Sequence, residues 1–313
     1  MKYIIVFVLL LSCSGLKAQQ FNADNAFIKS NFPDGIVYKT DIVYKTVNGV
    51  DLKLDFYRIE NGGPECPVVV SIHGGAWLSG TKNDDIHYST QLFRKLLENG
   101  YAVVSIEYRL SQAAKFPAQI QDCNDAIEFI YQKSKEYKLD KNNIAVMGGS
   151  AGGHLAALAG TSSTHRIPEF YTNGKKPHFK IKAVIDFFGP SDFIAMRGNS
   201  GWIDHDDPNS AEAQLLGFPP FLRPDLARLV SPTTYVTWQT PPFLIFHGDK
   251  DPVVQYTQSV ILHSYLDLAG VKNKFITVKG AGHGGPEFGS EEYNEEILEF
   301  LNSCMKNLNI RSE

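Results

Sequence analysis

An α/β fold, with a mostly parallel central sheet and helices on both faces, is predicted by three features of this 313-residue chain. Residues 68–72 and 102–106 are largely apolar runs without polar alternation, the composition of strands buried on both faces. Between such runs lie segments whose apolar residues recur at helical spacing, and strand alternating with helix calls for parallel strands joined by covering helices. Asn48-Gly49 separates two strand-like runs and is the strongest short hairpin signal in the chain, which places an antiparallel pair at one edge of the sheet.

The elements follow in order. Residues 42–47 and 52–57 are the arms of the hairpin, and 68–72 is the first buried strand. Residues 88–98 read as a helix through Leu92, Phe93, Leu96 and Leu97, stopped by Gly100. Residues 102–106 form a strand. Pro117 opens a long helix with Ile120, Cys123, Ile127, Ile130 and Tyr131 on one stripe. Residues 144–147 read as strand, 151–159 as helix, 181–187 and 243–246 as strands. Residues 259–268 read as helix, 275–278 as strand and 291–301 as the closing helix. The Pro-rich stretch 191–242, with Trp202, Phe218, Phe221 and Trp238, breaks the rhythm. A connection that long is functional or has structure of its own. It reads as a partial cap over the sheet edge rather than a second domain, against the plainer alternative of a surface excursion packed by its own aromatics.

Composition narrows the function classes. Lys and Arg number 30 against 34 Asp and Glu, a formal charge of −4, so the chain lacks the basic field of a nucleic-acid binder. Met1-Lys2, an apolar run over 3–11 and Leu16-Lys17-Ala18-Gln19 have the layout of a secretory signal peptide cleaved after Ala18, too short to span a bilayer. A competing reading takes Leu10-Leu11-Ser12-Cys13 as a lipobox, with the leader ending before Cys13 and the mature chain lipid-anchored through it. Either reading exports the protein to the periplasm, the outer membrane or the medium and leaves 19–313 as a single domain with its insertion at about 191–242. Cys66, Cys123 and Cys304 make no even disulfide framework, and no Cys/His spacing suits zinc. No cofactor or metal is expected, and no oligomeric state is set.

Four motifs carry chemistry. Gly148-Gly149-Ser150-Ala151-Gly152 lies between a predicted strand and a predicted helix, where a tight turn lifts a serine hydroxyl above the sheet. His73-Gly74-Gly75-Ala76-Trp77 follows the 68–72 strand. The N–H groups of Gly75 and Ala76, completed by that of Ala151, are candidates for stabilising an oxyanion, and one such donor is worth about 3–4 kcal/mol in a transition state. His73 precedes the nucleophile and reads as a loop-holding residue, not a base. In Phe246-His247-Gly248-Asp249-Lys250-Asp251-Pro252-Val253, two aspartates compete to orient an imidazole. Gly280-Ala281-Gly282-His283-Gly284-Gly285 follows the last strand, and its glycines let His283 return over the sheet as general base. His87, His154, His165, His178, His205 and His263 read as surface or packing residues.

Serine, acid and histidine in that chain order, behind an HGG loop, resemble the α/β-hydrolase fold, nearest the hormone-sensitive-lipase-like esterases. Within these the chain resembles the bacterial branch labelled bifunctional acetylxylan/feruloyl esterase, the BD-FAE type. His73-Gly74-Gly75-Ala76-Trp77, Tyr108-Arg109-Leu110, Phe116-Pro117-Ala118, Gly148–His154, His247–Pro252 and Gly282-His283-Gly284 carry the likeness, which runs over about 38–305. It implies a Ser150–Asp251–His283 triad, with Asp249 left to cap its turn. It departs from the lipase-like pattern in having Ala76, followed by Trp77, where the third glycine would stand.

The expected activity is an exported serine carboxylesterase acting on short acyl esters, acetyl or feruloyl, of plant polysaccharide or oligosaccharide. Trp77, Trp202 and Trp238 are the candidate ring-stacking residues for such a substrate. The HGGAW loop also resembles arylformamidases. An exported peptidase of the same fold is a further alternative, and a non-catalytic hydrolase-fold binding module is the reading from another class. The expected partner is a small-molecule or oligosaccharide ester, with no nucleic acid, and a membrane only if Cys13 is lipidated.

Overall fold

A computed structural model describes residues 25–60, 65–175, 177–198 and 200–305. The leader and Cys13 lie outside the described residues. Helix α1 (Asn25–Asn31) precedes a hairpin of β1 (Ile36–Val47) and β2 (Val50–Ile59). Val47 pairs with Val50 across Asn48 and Gly49, whose φ values of 51° and 79° are those of the tight turn that Asn-Gly favours. Strand β3 (Cys66–Ile72) is followed by helices α2 (Lys82–Tyr88) and α3 (Thr90–Glu98), then β4 (Ala102–Ile106), α4 (Ala118–Tyr137), β5 (Leu139–Gly149), α5 (Ala151–Ser162) and β6 (Ile181–Phe187). Two short helices, α6 (Ala211–Leu216) and α7 (Pro224–Val230), lie in the 191–242 stretch. The chain closes with β7 (Phe243–Gly248), α8 (Thr257–Leu268), β8 (Asn273–Val278) and α9 (Glu291–Cys304).

The eight strands form one sheet in the order β1-β2-β4-β3-β5-β6-β7-β8. The β1–β2 and β2–β4 pairs are antiparallel and every other pair is parallel. The α/β-hydrolase architecture with a mostly parallel sheet, an antiparallel edge and helices on both faces is therefore present. Alternation along β3 sends Val68, Val70 and Ile72 into the layer under α4, α5 and α8, and Val69 into the layer under α3 and α9. Cys123 is one of the buried small residues of α4.

Several elements exceed the expectation from sequence. Helix α2 has seven residues and buries one apolar side chain, Ile86, so periodicity does not reveal it. Its signal is the capping box: Thr81 Oγ1 accepts from the Asn83 N–H at 3.3 Å, and Asp84 Oδ2 accepts from the Thr81 N–H at 2.9 Å. Strand β5 starts at Leu139, where pairing with Cys66 extends it through polar residues. The 191–242 stretch is built of short helices and turns. Its start is pinned by Gln258 of α8, whose Oε1 accepts from the Ser191 and Asp192 N–H groups at 2.9 and 2.8 Å. Farther along, Ser200 Oγ donates to the carbonyls of Pro252 and Val253 at 3.0 and 2.9 Å, fastening the stretch to the loop after β7.

One buried ionic cluster ties α2 to the hairpin. Lys82 Nζ lies 3.0 Å from Asp55 Oδ2 and 3.2 Å from Asp41 Oδ1, and Tyr57 donates its hydroxyl to Asp55 at 3.3 Å. Removing one partner of a buried pair strands the other charge, which typically costs about 3–5 kcal/mol. Lys82→Met is expected to lower the unfolding free energy by about that amount in urea titrations; a loss under about 1 kcal/mol would show that Asp55 does not depend on this ammonium.

Candidate active site

The parallel strands share one C-terminal rim, and the predicted triad and oxyanion residues arrive there from four strand ends. Ser150 stands between β5 and α5 at φ 55°, a left-handed conformation that costs a non-glycine residue of order 1–3 kcal/mol. Its N–H donates to Phe187 O at 2.9 Å, and its carbonyl accepts from the His154 N–H at 2.9 Å. The turn is possible because Gly152 lets α5 press on β3: a Cβ there would lie 1.9 Å from Ile72 O.

His283 lies after β8 with its ring 4.8 Å from that of Phe188. Its Nε2 is 2.8 Å from Ser150 Oγ and its Nδ1 is 2.7 Å from Asp251 Oδ2. An ionised carboxylate only accepts, so Nδ1–H donates to Asp251 and Nε2 is left to accept the serine proton. The side chain of Asp251 is fully buried, and its Oδ1 takes the N–H groups of Val253 and Val254 at 2.8 and 2.9 Å. Burial disfavours its charge, yet hydrogen bonds from His247, His283 and the Val253 N–H outweigh this and hold the carboxyl far below the ordinary carboxylate range. Asp249, by contrast, is exposed and accepts from the Gly280 N–H at 2.7 Å, a turn-capping position.

The loop after β3 abuts this turn. A Cβ on Gly74 would come within 2.9 Å of Gly149 O and 3.7 Å of Ser150 Cβ. Gly75, Ala76 and Trp77 follow with φ of 103°, 55° and 58°, and Gly75 O accepts from the Leu78 and Ser79 N–H groups at 2.9 and 3.0 Å. Among the described residues the N–H groups of Gly75, Ala76 and Ala151 have no protein acceptor, and the last is one of the open amides at a helix start. His73 is buried, stacks on Tyr108 with ring centroids 4.2 Å apart, and holds its Nδ1 2.8 Å from Gly74 O. Burial pulls its imidazole down to about 4.

Two of the three tryptophans do not serve the expected role. Trp77 is 2% exposed and packs in the core, its indole N–H donating to His154 Nδ1 at 3.2 Å, so it offers no stacking face. Trp238 is exposed but precedes β7, whereas Asp251 follows it; six strand residues, a length of roughly 20 Å at about 3.3 Å each, put it at the opposite end of the sheet. Trp202 alone sits at the rim, 56% exposed, with its backbone N–H donating to Pro252 O at 3.1 Å.

Sequence reasoning passed over His247. Its Nε2 approaches Asp251 Oδ2 at 3.3 Å and Val254 O at 3.0 Å, and its Nδ1 is 2.7 Å from Ser259 Oγ. The signal was present in its place four residues before Asp251. A serine with an imidazole acceptor, an imidazole held by a carboxylate, and open amides beside the serine together suit nucleophilic acyl transfer.

Comparison with known proteins agrees. A family model described as BD-FAE matches residues 54–266. A truncated form of a carbohydrate esterase from gut microbiota superposes with a TM-score of 0.76 at 32% identity, covering 86% of this chain and 96% of that one. A bifunctional GH43-CE of Bacteroides eggerthii gives 0.75 at 35% identity, over 85% of this chain and 38% of that one. Esterase LipQ of Mycobacterium tuberculosis is 30% identical over 244 residues, 74% of this chain and 53% of its own length. The chain spans about half the length of the curated relatives it matches.

Ser150→Ala is expected to lower kcat on para-nitrophenyl acetate by roughly 10⁴-fold or more; undiminished turnover would place the nucleophile elsewhere. Asp251→Asn is expected to lose about 10³–10⁴-fold and Asp249→Asn less than about tenfold, and the reverse order in kcat would make Asp249 the orienting acid.

Proposed function

Because the chain belongs to the BD-FAE family, we propose that it is a serine carboxylesterase that removes short acyl groups, acetyl or feruloyl, from plant polysaccharide or its oligosaccharides. The observation that carries the reading is the Ser150–His283–Asp251 hydrogen-bond chain, at 2.8 and 2.7 Å, beside three open amides. In the first half-reaction Ser150 Oγ attacks the ester carbonyl while His283 Nε2 takes its proton. The carbonyl oxygen becomes an oxyanion facing the N–H groups of Gly75, Ala76 and Ala151. Collapse breaks the acyl–oxygen bond, and the imidazolium returns the proton to the leaving alcohol. In the second half-reaction water attacks the acyl-serine, again giving its proton to His283, and the acid leaves as Ser150 is restored. Asp251 stays ionised throughout and stabilises the imidazolium.

The choice of a carbohydrate ester is supported by the two solved relatives at 32% and 35% identity, whose descriptions name a carbohydrate esterase and a GH43-CE. Trp202, exposed on the rim beside the acid loop, supplies an aromatic face for a sugar or phenolic ring. The leader-like segment 1–18 supports export to the periplasm or medium, where polymer fragments are found, with Cys13 as the residue that would anchor the chain to lipid.

Release of acetate from acetylated xylan, or of ferulate from feruloylated arabinoxylan, is the expected outcome, with no formate from N-formylkynurenine. Among para-nitrophenyl esters, rates are expected to fall from acetate through butyrate to octanoate. Formate release alone, or rates that rise toward octanoate, would overturn the substrate class.

A further inference from the structure

The proposed oxyanion donors come from two separate parts of the chain. Gly75 and Ala76 belong to the loop after β3, while Ala151 opens α5. They serve one oxygen only if the loop and the helix are held in fixed register. The loop is not relaxed: Ala76 and Trp77 are consecutive non-glycine residues at φ 55° and 58°. A conformation of that kind persists only where its surroundings enforce it.

Trp77 joins the loop to the helix. Its indole N–H donates to His154 Nδ1 at 3.2 Å, the two rings meet edge to face with centroids 5.2 Å apart, and Phe193 packs on both. His154 stands one helical turn after Ser150, and its own Nε2 is 2.8 Å from Val230 O at the end of α7. A carbonyl only accepts, so Nε2 carries the proton and Nδ1 is free to accept the indole N–H. The two bonds select the same tautomer. Burial pulls this imidazole down to about 4, so it stays neutral at ordinary pH.

We propose that the Trp77–His154 hydrogen bond is a strut that fixes the oxyanion loop to helix α5, and that His154 is a positioning residue for the hole. Through Val230 the same residue extends that hold to the 191–242 stretch. The strut rests on the esterase reading for what occupies the hole, though not for its own geometry. Among the described residues no other polar contact holds Trp77 to the helix that bears Ala151, its carbonyl being tied instead to the Ser111 N–H at 2.8 Å, and without the indole N–H bond the loop amides turn away from the oxygen.

The test uses the full chain and diethyl para-nitrophenyl phosphate. In that reaction Ser150 Oγ forms a bond to phosphorus, the bond to nitrophenolate breaks, the serine proton passes to His283, and the phosphoryl oxygen lies where the oxyanion would. Trp77→Phe keeps the ring and loses the N–H. His154→Leu loses both bonds, and His154→Asn restores an acceptor near the place of Nδ1. Nitrophenolate release is expected to slow at least about tenfold in Trp77→Phe and His154→Leu, and to recover to within about threefold of the parent in His154→Asn. Toward para-nitrophenyl acetate the loss is expected in kcat with KM unchanged.

Phosphorylation of Trp77→Phe within about twofold of the parent would overturn the strut. So would a His154→Asn protein that folds yet reacts no faster than His154→Leu, or a loss confined to KM. Should His154→Leu fail to fold, Trp77→Phe decides alone. Because phosphorylation reads the hole without an acyl substrate, a parent inert toward every ester would overturn the esterase reading, and the variants' rates would still decide the strut.

Discussion

The site depends on one backbone constraint: Ser150 must hold a left-handed conformation between the last residue of β5 and the first of α5. That turn raises Oγ above the sheet and sets the open amide of Ala151 beside it. It survives because the sheet over-determines it. The Ser150 N–H is tied to β6 through Phe187 O, and Gly152 lets α5 lie against Ile72 O, where any side chain would collide. The remaining parts arrive at the same rim because parallel strands end on one side. The amide loop follows β3, the acid follows β7 and the base follows β8. A rigid element thus fixes the nucleophile, and loops rooted on its neighbours bring the rest.

The second principle of order is which groups can only accept hydrogen bonds. The carboxylate of Asp251 forces the proton of His283 onto Nδ1 and leaves Nε2 for the serine. The carbonyl of Val230 forces the proton of His154 onto Nε2 and leaves Nδ1 for Trp77. His247 is enclosed in the same manner among Ser259, Val254 and Asp251. Three imidazoles near one rim are oriented by their neighbours, and only His283 has solvent on one side. The histidine assigned as base differs from those that hold position by its exposure, by what its free nitrogen faces and by the glycines on either side of it.

Most of the architecture was legible because burial on both faces leaves a plain mark. Strands such as 68–72 and 102–106 have almost no polar residues, and Asn48-Gly49 marks its turn by the backbone it needs. Helix α2 was not legible by periodicity, since a seven-residue helix with one buried apolar residue has no period to read; its capping box was the available signal. The nucleophile turn and the amide loop were legible from glycines set at strand ends. The choice between Asp249 and Asp251 came from the family likeness, and the structure separates them by burial. Trp77 and Trp238 miss the expected role because residue type reports neither depth nor the end of the sheet. Trp77 turns inward on a left-handed residue, and that depends on His154, 77 positions away. The place of Trp238 before β7 already set it at the far end of the sheet.

The proposed mechanism requires Ser150 to become covalently acylated when an ester is cleaved. Rapid quenching of a single turnover with an acetyl ester, followed by peptide mass spectrometry, reads this directly. An acetyl group on the peptide carrying Ser150, appearing before free acetate accumulates and then decaying, is the result expected. Acetate release with no acylated peptide at any time, or an acetyl group on a different residue, would remove Ser150 as the nucleophile.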